Sequence, residues 1–302
     1  MHMGDKRVAQ RQCKAVLRAV IPFLDQSPRT FWVNHFAAEV AGTKPLQLRL
    51  ASEAGLVIPE TLITNNPHEI REFIRRQGGF VAHKLLEPSG WRSEDGKHLY
   101  LTYTSTVTEP DLPSDDLLRL CPAILQPLLK KEFEIRVLCL GDFLVAVRLN
   151  SQEDERAAVD WRAGQFRIAV QPYELPEETA AGCRRLMRSL RIVHGSIDFV
   201  VDPTGKHIFL EVNPQGQFLW MEDRTGLPVL DMFAEFLLAG KREFVWRGDH
   251  RAVSLNEFAR CDWERVSRAA AASHCRNTRS DELIVPDADI SRRDKGISAP
   301  SV

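Results

Sequence analysis

The sequence predicts an α+β protein in which helices alternate with antiparallel hairpins, not a parallel βαβ sheet. Two hairpins and two well-punctuated helices carry that reading. EIRVLCLGDFLVAVRL (134–149) is apolar on both arms and turns at Gly141-Asp142, a connection suited to an antiparallel pair. GSIDFVV (195–201) and KHIFLEV (206–212) flank DPTG, a good turn sequence with proline second. Thr43 can cap a helix over 45–54, with Pro45 at its first position and Gly55 just past its end. Asn66 can cap the next, which has Pro67, Glu69 in the first turn and Gly78-Gly79 as its stop.

The remaining elements follow in order. Residues 5–25 place Cys13, Val16, Leu17, Val20, Phe23 and Leu24 at a helical period that ends near Pro28. TFWVN (30–34) reads as a short strand. FVAHKLL (80–86) is a strand, followed by a polar loop to Gly96 and a further strand over 98–107. AILQPLL (123–129) is an apolar strand broken by Pro127, and 151–164 form a charged connection containing DWR. A helix covers roughly 176–192 with Leu186, Met187 and Leu190 on one face. Another runs from Pro228 to about Ala239. Residues 241–277 leave room for one or two helices, and 278–302 read as a loose tail.

Composition narrows the function classes. A chain of 302 residues can form one large or two ordinary domains. It is 44% hydrophobic and 27% charged, as soluble globular proteins are. The formal net charge of −1 supplies no field to draw nucleic acid or an anionic membrane. RRLMRSLR (184–191) therefore reads as the wet face of a helix. No apolar run approaches the ~20 residues that span a bilayer, and the basic N-terminus lacks the pattern of a secretory signal. The expected location is the cytoplasm. The six cysteines show no CxxC spacing and read as reduced, mostly buried thiols. His274-Cys275 lacks a partner pair at ligand spacing, so it is not expected to bind metal.

The chemistry gathers on the second hairpin. Two-residue alternation puts Ile197, Phe199 and Val201 on one face with Ile208, Leu210 and Val212, the expected core side. Asp198 then shares the other face with Glu211 and Asn213. Asp198 lies directly across from Glu211 or one diagonal step away, which sets their Cβ atoms ~5 to ~8 Å apart. Carboxylates that close repel unless something positive lies between them. With the carboxamide oxygen of Asn213 they form three hard oxygen ligands, suited to Mg²⁺ held by a nucleotide. Pro214 keeps Asn213 extended and ends the ladder.

Cations are needed for the phosphates. Lys84 lies in an otherwise apolar strand, where its charge must find a partner or reach water. Lys44 stands at a helix start, where a cation is unfavourable unless an anion binds there. Glu134 and Arg136 share a strand face, either as a structural i,i+2 pair or as a carboxylate for a hydroxyl pair beside a guanidinium for phosphate. A two-residue turn puts Arg148 on the opposite face from Arg136. Pro127 cannot sit in a central ladder, so its strand should leave free backbone groups for a purine edge.

The blocks WVN (32–34), KPLQLRLASEAGLVIPETLITNNP (44–67), LQPLLKKEFEIRV (125–137), DWR (160–162) and IDFVVDPTGKHIFLEVNPQGQFLWMEDRTGLP (197–228) resemble, in order, those of ATP-grasp ligases. The resemblance is strongest to the peptide maturases that build microviridins and related graspetides. It implies an ATP-grasp fold in which two α+β lobes clasp ATP. Lys44 and Lys84 would contact phosphates, Gln126, Pro127 and Leu128 the adenine edge, and Glu134 the ribose. Arg136 and Arg162 would be the catalytic residues, near the γ-phosphate and the activated acyl group, with Asp198, Glu211 and Asn213 on Mg²⁺. The implied reaction activates a carboxylate as an acyl phosphate and joins it to a hydroxyl or amine of the same ribosomal precursor peptide, without a protein nucleophile. A homodimer is the family expectation.

Relatives usually carry a further small domain before the WVN segment. The implied division is therefore a truncated remnant of that domain over 1–41, a central lobe over 42–122, a C-terminal lobe with the Mg-ATP site over 123–245, and an extension over 246–302. The short front implies retained ATP binding with impaired peptide turnover. Two other readings stay open: a ligase adding amino acids to a protein or peptide, and a nucleotide-binding or peptide-docking module that has lost turnover.

Overall fold

The two hairpins read from the sequence supply four strands of a five-stranded antiparallel sheet. The computed structural model describes residues 3–25, 30–86, 90–93, 99–101, 104–164, 167–248, 254, 255, 265 and 268. The chain divides into two units, residues 1–255 and 256–302, and the architecture below belongs to the first. In order its elements are α1 (Met3–Asp25), α2 (Phe36–Ala41), α3 (Lys44–Glu53), β1 (Leu62–Thr64), α4 (Pro67–Arg76), β2 (Phe80–Lys84), β3 (Gly90–Arg92), β4 (Leu99–Leu101) and β5 (Ser105–Thr108). Then come α5 (Asp115–Leu118), β6 (Ala123–Pro127), β7 (Phe133–Leu140), β8 (Phe143–Leu149), β9 (Val170–Tyr173) and α6 (Glu177–Ser189). The series closes with β10 (His194–Val201), β11 (His207–Asn213), α7 (Trp220–Thr225) and α8 (Val229–Ala239).

The larger sheet has the order β11-β10-β7-β8-β9, the smaller β1-β6-β2-β5, and β3 pairs with β4. Strand β7 is buried along its whole length. Its Phe133, Ile135, Val137 and Cys139 join Leu48 and Ala51 of α3 and Leu186 and Met187 of α6 in one core. Its Leu138 and Leu140 join Met221, Met232 and Phe236 in a second core on the opposite face. Glu134 and Arg136 share that opposite face, so one surface of the sheet is apolar at one end and charged at the other. Helix α4 packs Ile70, Phe73 and Ile74 against Val81 and Leu125 of the smaller sheet.

Several expectations change. TFWVN is not a strand: residues 30–34 are irregular and lead into α2, which sequence patterning missed. Asn34 explains the difference, because its amide is used in tertiary bonds. Its Oδ1 accepts from the backbone N–H groups of Val193 and His194 at 2.7 and 2.8 Å, and its Nδ2 donates to the His194 carbonyl at 2.8 Å. Asn34→Ala strands those buried groups, and urea unfolding should show a loss of about 1–3 kcal/mol. Strand β6 is central, with Pro127 at its last residue paired to Val81. That position is tolerated because β1 pairs only as far as Leu125, leaving Pro127 with one ladder neighbour.

The β10–β11 ladder carries a bulge between Asp198 and Phe199, so Phe199 pairs with Phe209 while Asp198 pairs with Glu211. Phe209, and not Ile208 or Leu210, therefore joins Ile197, Phe199 and Val201 in the core shared with α3 and α6. The cysteine expectation holds for Cys139 and Cys183, whereas Cys13 and Cys121 are exposed. The span expected as one strand over 98–107 contains β4 and β5, with 98, 102 and 103 outside the described residues, as are 94–97 of the polar loop. Most of 241–277 beyond 248, the pair His274-Cys275, Cys261 and the tail 278–302 also lie outside them. No helix among the described residues is long and apolar enough to cross a membrane.

Candidate active site

A cleft opens where the smaller sheet faces the charged end of the larger one. Lys44 reaches it from the start of α3, Lys84 from the end of β2, and Gln126 to Leu129 from the end of β6 and just beyond. Glu134 comes from β7, Asp198 from β10, Leu210 and Glu211 from β11, and Asp160, Trp161 and Arg162 from the connection after β8. Nine of the eleven residues expected from the sequence thus line one cleft. Arg136 sits behind Asp198 and Asn213 lies at the margin, exposed.

The register of the ladders sets the geometry. Asp198 is the cross-strand partner of Arg136 on one side and of Glu211 on the other. Arg136 Nη1 donates to both carboxylate oxygens of Asp198 at 2.7 and 2.9 Å. Burial pushes the Asp198 carboxyl above its usual range, while Arg136 opposes that rise. Lys44 Nζ donates to the Leu85 carbonyl at 3.0 Å and lies 3.5 Å from Glu211 Oε2. The two neighbouring carboxylates thus each have a protein cation, and their repulsion alone does not require a metal.

The donor set nonetheless fits Mg²⁺. Asp198 and Glu211 present hard oxygens from adjacent register positions. Among the described residues no three His, Cys, Asp or Glu side chains form a metal-holding group, so a third side-chain ligand would come from another residue type. Asn213, opposite Ser196 and therefore on the Asp198 face, offers one. Its Oδ1 accepts a single 3.2 Å bond from the Gln215 N–H, which leaves a lone pair.

Glu134 and Arg136 do not pair with each other. Glu134 meets Lys131 at 2.7 Å, both side chains nearly inaccessible, and burial pushes its carboxyl upward against the pull of Lys131. For Asp160 burial also acts upward, but bonds from Arg162 at 2.6 and 2.8 Å and from the Thr104 N–H hold it below the usual carboxylate range. Lys84 is driven the other way: burial lowers its pKa, with Glu211 opposing. Arg148 points to the other face, over the Phe133 ring at 3.8 Å, as the turn length required. Gly216 closes the site from behind. A Cβ there would stand 2.6 Å from Arg136 Nη2 and 2.9 Å from Ser196 Cβ.

Sequence reasoning missed Lys131, Asp160 and Asn34. No local signal separates Lys131 from its neighbour Lys130, whereas Asp160 directly precedes the Trp-Arg pair as the side-chain cap of Arg162 N–H.

A fold of two α+β layers closing on a cleft with paired lysines and paired carboxylates defines an ATP-grasp ligase. No family model matches the chain, and no curated protein does. Solved structures do match. Macrocyclase MdnB from Microcystis aeruginosa MRC is 33% identical over 79% of this chain and 72% of its own, with a TM-score of 0.62. Macrocyclase MdnC from the same organism, bound with precursor peptide MdnA, is 28% identical over 80% and 73%, with a TM-score of 0.68. A RiPP-associated ATP-grasp ligase of Chryseobacterium gregarium, in complex with ADP and a leader and core peptide, is 26% identical over 84% and 74%, with a TM-score of 0.71. The chain belongs to the ATP-grasp ligases that mature ribosomal peptides, the graspetide maturases.

Proposed function

We propose that this chain uses ATP and Mg²⁺ to form ester or amide crosslinks between side chains of a ribosomally made precursor peptide. The observation that carries this reading is the Asp198–Glu211 register pair in a cleft that Lys44 and Lys84 also line. MdnC is bound with its precursor peptide, and the Chryseobacterium ligase holds ADP with a leader and core peptide; both support it. Lys44 and Lys84 take the phosphates, the end of β6 from Gln126 to Leu128 takes the adenine edge, and Glu134 takes the ribose. Asp198, Glu211 and Asn213 hold Mg²⁺, which when bound neutralises phosphate charge. Arg136 and Arg162 attend the γ-phosphate and the acyl group.

A peptide carboxylate attacks the γ-phosphorus and ADP leaves. A side-chain hydroxyl or amine of the same peptide then displaces inorganic phosphate from the acyl phosphate. The chain's own contribution is positioning and charge neutralisation. We place this reaction in the cytoplasm. Incubation of the full chain with ATP, Mg²⁺ and leader-bearing peptides with Thr, Ser or Lys and Asp or Glu in their cores should remove one water per bond formed, read by mass. ADP release without any mass change would sink the crosslinking reading.

Lys84 gives the site a pH signature. A lysine is cationic below its pKa, and burial lowers that pKa, so Lys84 discharges at a lower pH than an exposed lysine. Nucleotide affinity should therefore fall on the alkaline side before the ordinary lysine range is reached. Lys84→Arg, whose guanidinium stays charged, should move the fall upward. Calorimetric titration with ADP and Mg²⁺ from neutrality to about pH 10 checks both.

A further inference from the structure

Lys131 lies in the link between β6 and β7, yet its side chain is 8% exposed and that of its partner Glu134 5%. Its ammonium donates in two directions: to Glu134 Oε1 at 2.7 Å and to the Val159 carbonyl at 3.0 Å. Val159 immediately precedes Asp160, whose carboxylate grips Arg162 through two side-chain bonds. One buried cation therefore ties the Glu134 carboxylate to the turn that carries Arg162. A surface lysine would have no reason to be buried, since leaving water is costly unless its charge is met. The Ser151 hydroxyl also favours the ionised form of Glu134. A carboxylate has about four lone-pair sites, so acceptor capacity remains for a pair of hydroxyls.

We propose that Lys131 is a positioning residue that couples ribose binding at Glu134 to the placement of the Asp160–Arg162 turn. The proposal rests on the reading of Glu134 as the ribose carboxylate. A ribose that draws Glu134 into place also draws on Lys131, and through Val159 it fixes the turn. Nucleotide occupancy then sets Arg162 before the acyl group arrives.

The test uses the full chain, its K131M and K131M/E134Q variants, and two probes, ADP and 2′,3′-dideoxy-ADP, each with Mg²⁺. Wild type should bind ADP about tenfold more tightly than the dideoxy form, and K131M should narrow that to about twofold. In wild type, ADP should slow hydrogen exchange in residues 157–164; in K131M that protection should be lost. The double variant removes the stranded carboxylate, so it should remain folded even where K131M does not, and it should show the same loss of protection. ADP protection of 157–164 at the wild-type level in either Lys131 variant overturns the coupling. Equal binding of both nucleotides by wild type overturns the ribose reading of Glu134, and the coupling with it.

Discussion

Glu211→Gln combined with Asn213→Ala should abolish Mg-ATP turnover, by at least about 10²–10³-fold, while the protein stays folded. The Glu211 side chain is about a quarter exposed and Asn213 is exposed. Neither substitution opens a cavity, and the Lys44–Glu211 contact at 3.5 Å is a partly solvated pair of small worth. Unfolding free energy should move by no more than about 0.5 kcal/mol. The loss falls instead on the ion that these oxygens would hold. ADP release in the presence of a precursor peptide, set against urea unfolding of the same variant, separates the two effects. Turnover at the wild-type rate would remove the metal assignment.

Asp198→Ala should act on both stability and activity. Arg136 is buried, and its Nε has no partner among the described residues, so Asp198 supplies its main compensation. Removing the carboxylate leaves a guanidinium uncompensated in the sheet, at a cost of about 3–5 kcal/mol. Replacing both residues with apolar ones, as in Arg136→Met with Asp198→Leu, should recover most of that stability and none of the turnover. Chemical denaturation of the single and double variants checks the first half, and ADP release checks the second. A single variant as stable as wild type would mean that the buried pair is not what holds this end of the sheet.

Much of this site was legible because strand periodicity and turn length are local. DPTG and Gly141-Asp142 set the hairpins, and turn length excluded Arg148, whereas Asp198 meets Glu211 only because a bulge shifts the register that the turn alone would set. Lys44 and Lys84 stood out by being cations where a helix start or an apolar strand disfavours one. What escaped depends on contacts distant in sequence. Asn34 satisfies backbone groups at Val193 and His194, which no local pattern announces. Lys131 neighbours Lys130, and nothing in LKKEFE tells which of the two turns inward. The assignment of Leu210 to the core failed because alternation assumes an unbroken ladder, and the extra residue on β11 interrupts it.

That extra residue decides on which side of the ribbon a carboxylate comes to rest. Counted back from the turn without it, Leu210 would face Asp198, and Glu211 would slide opposite Ile197, into oil. The ribbon is kept out of phase by the reluctance of an anion to give up its solvent. An apolar residue at 211 would lift that reluctance and favour the register without the bulge, in which residues 211–213 change faces while 207–209 keep theirs. The polarity of a single side chain thus serves as the ratchet that keeps this ribbon in its working setting.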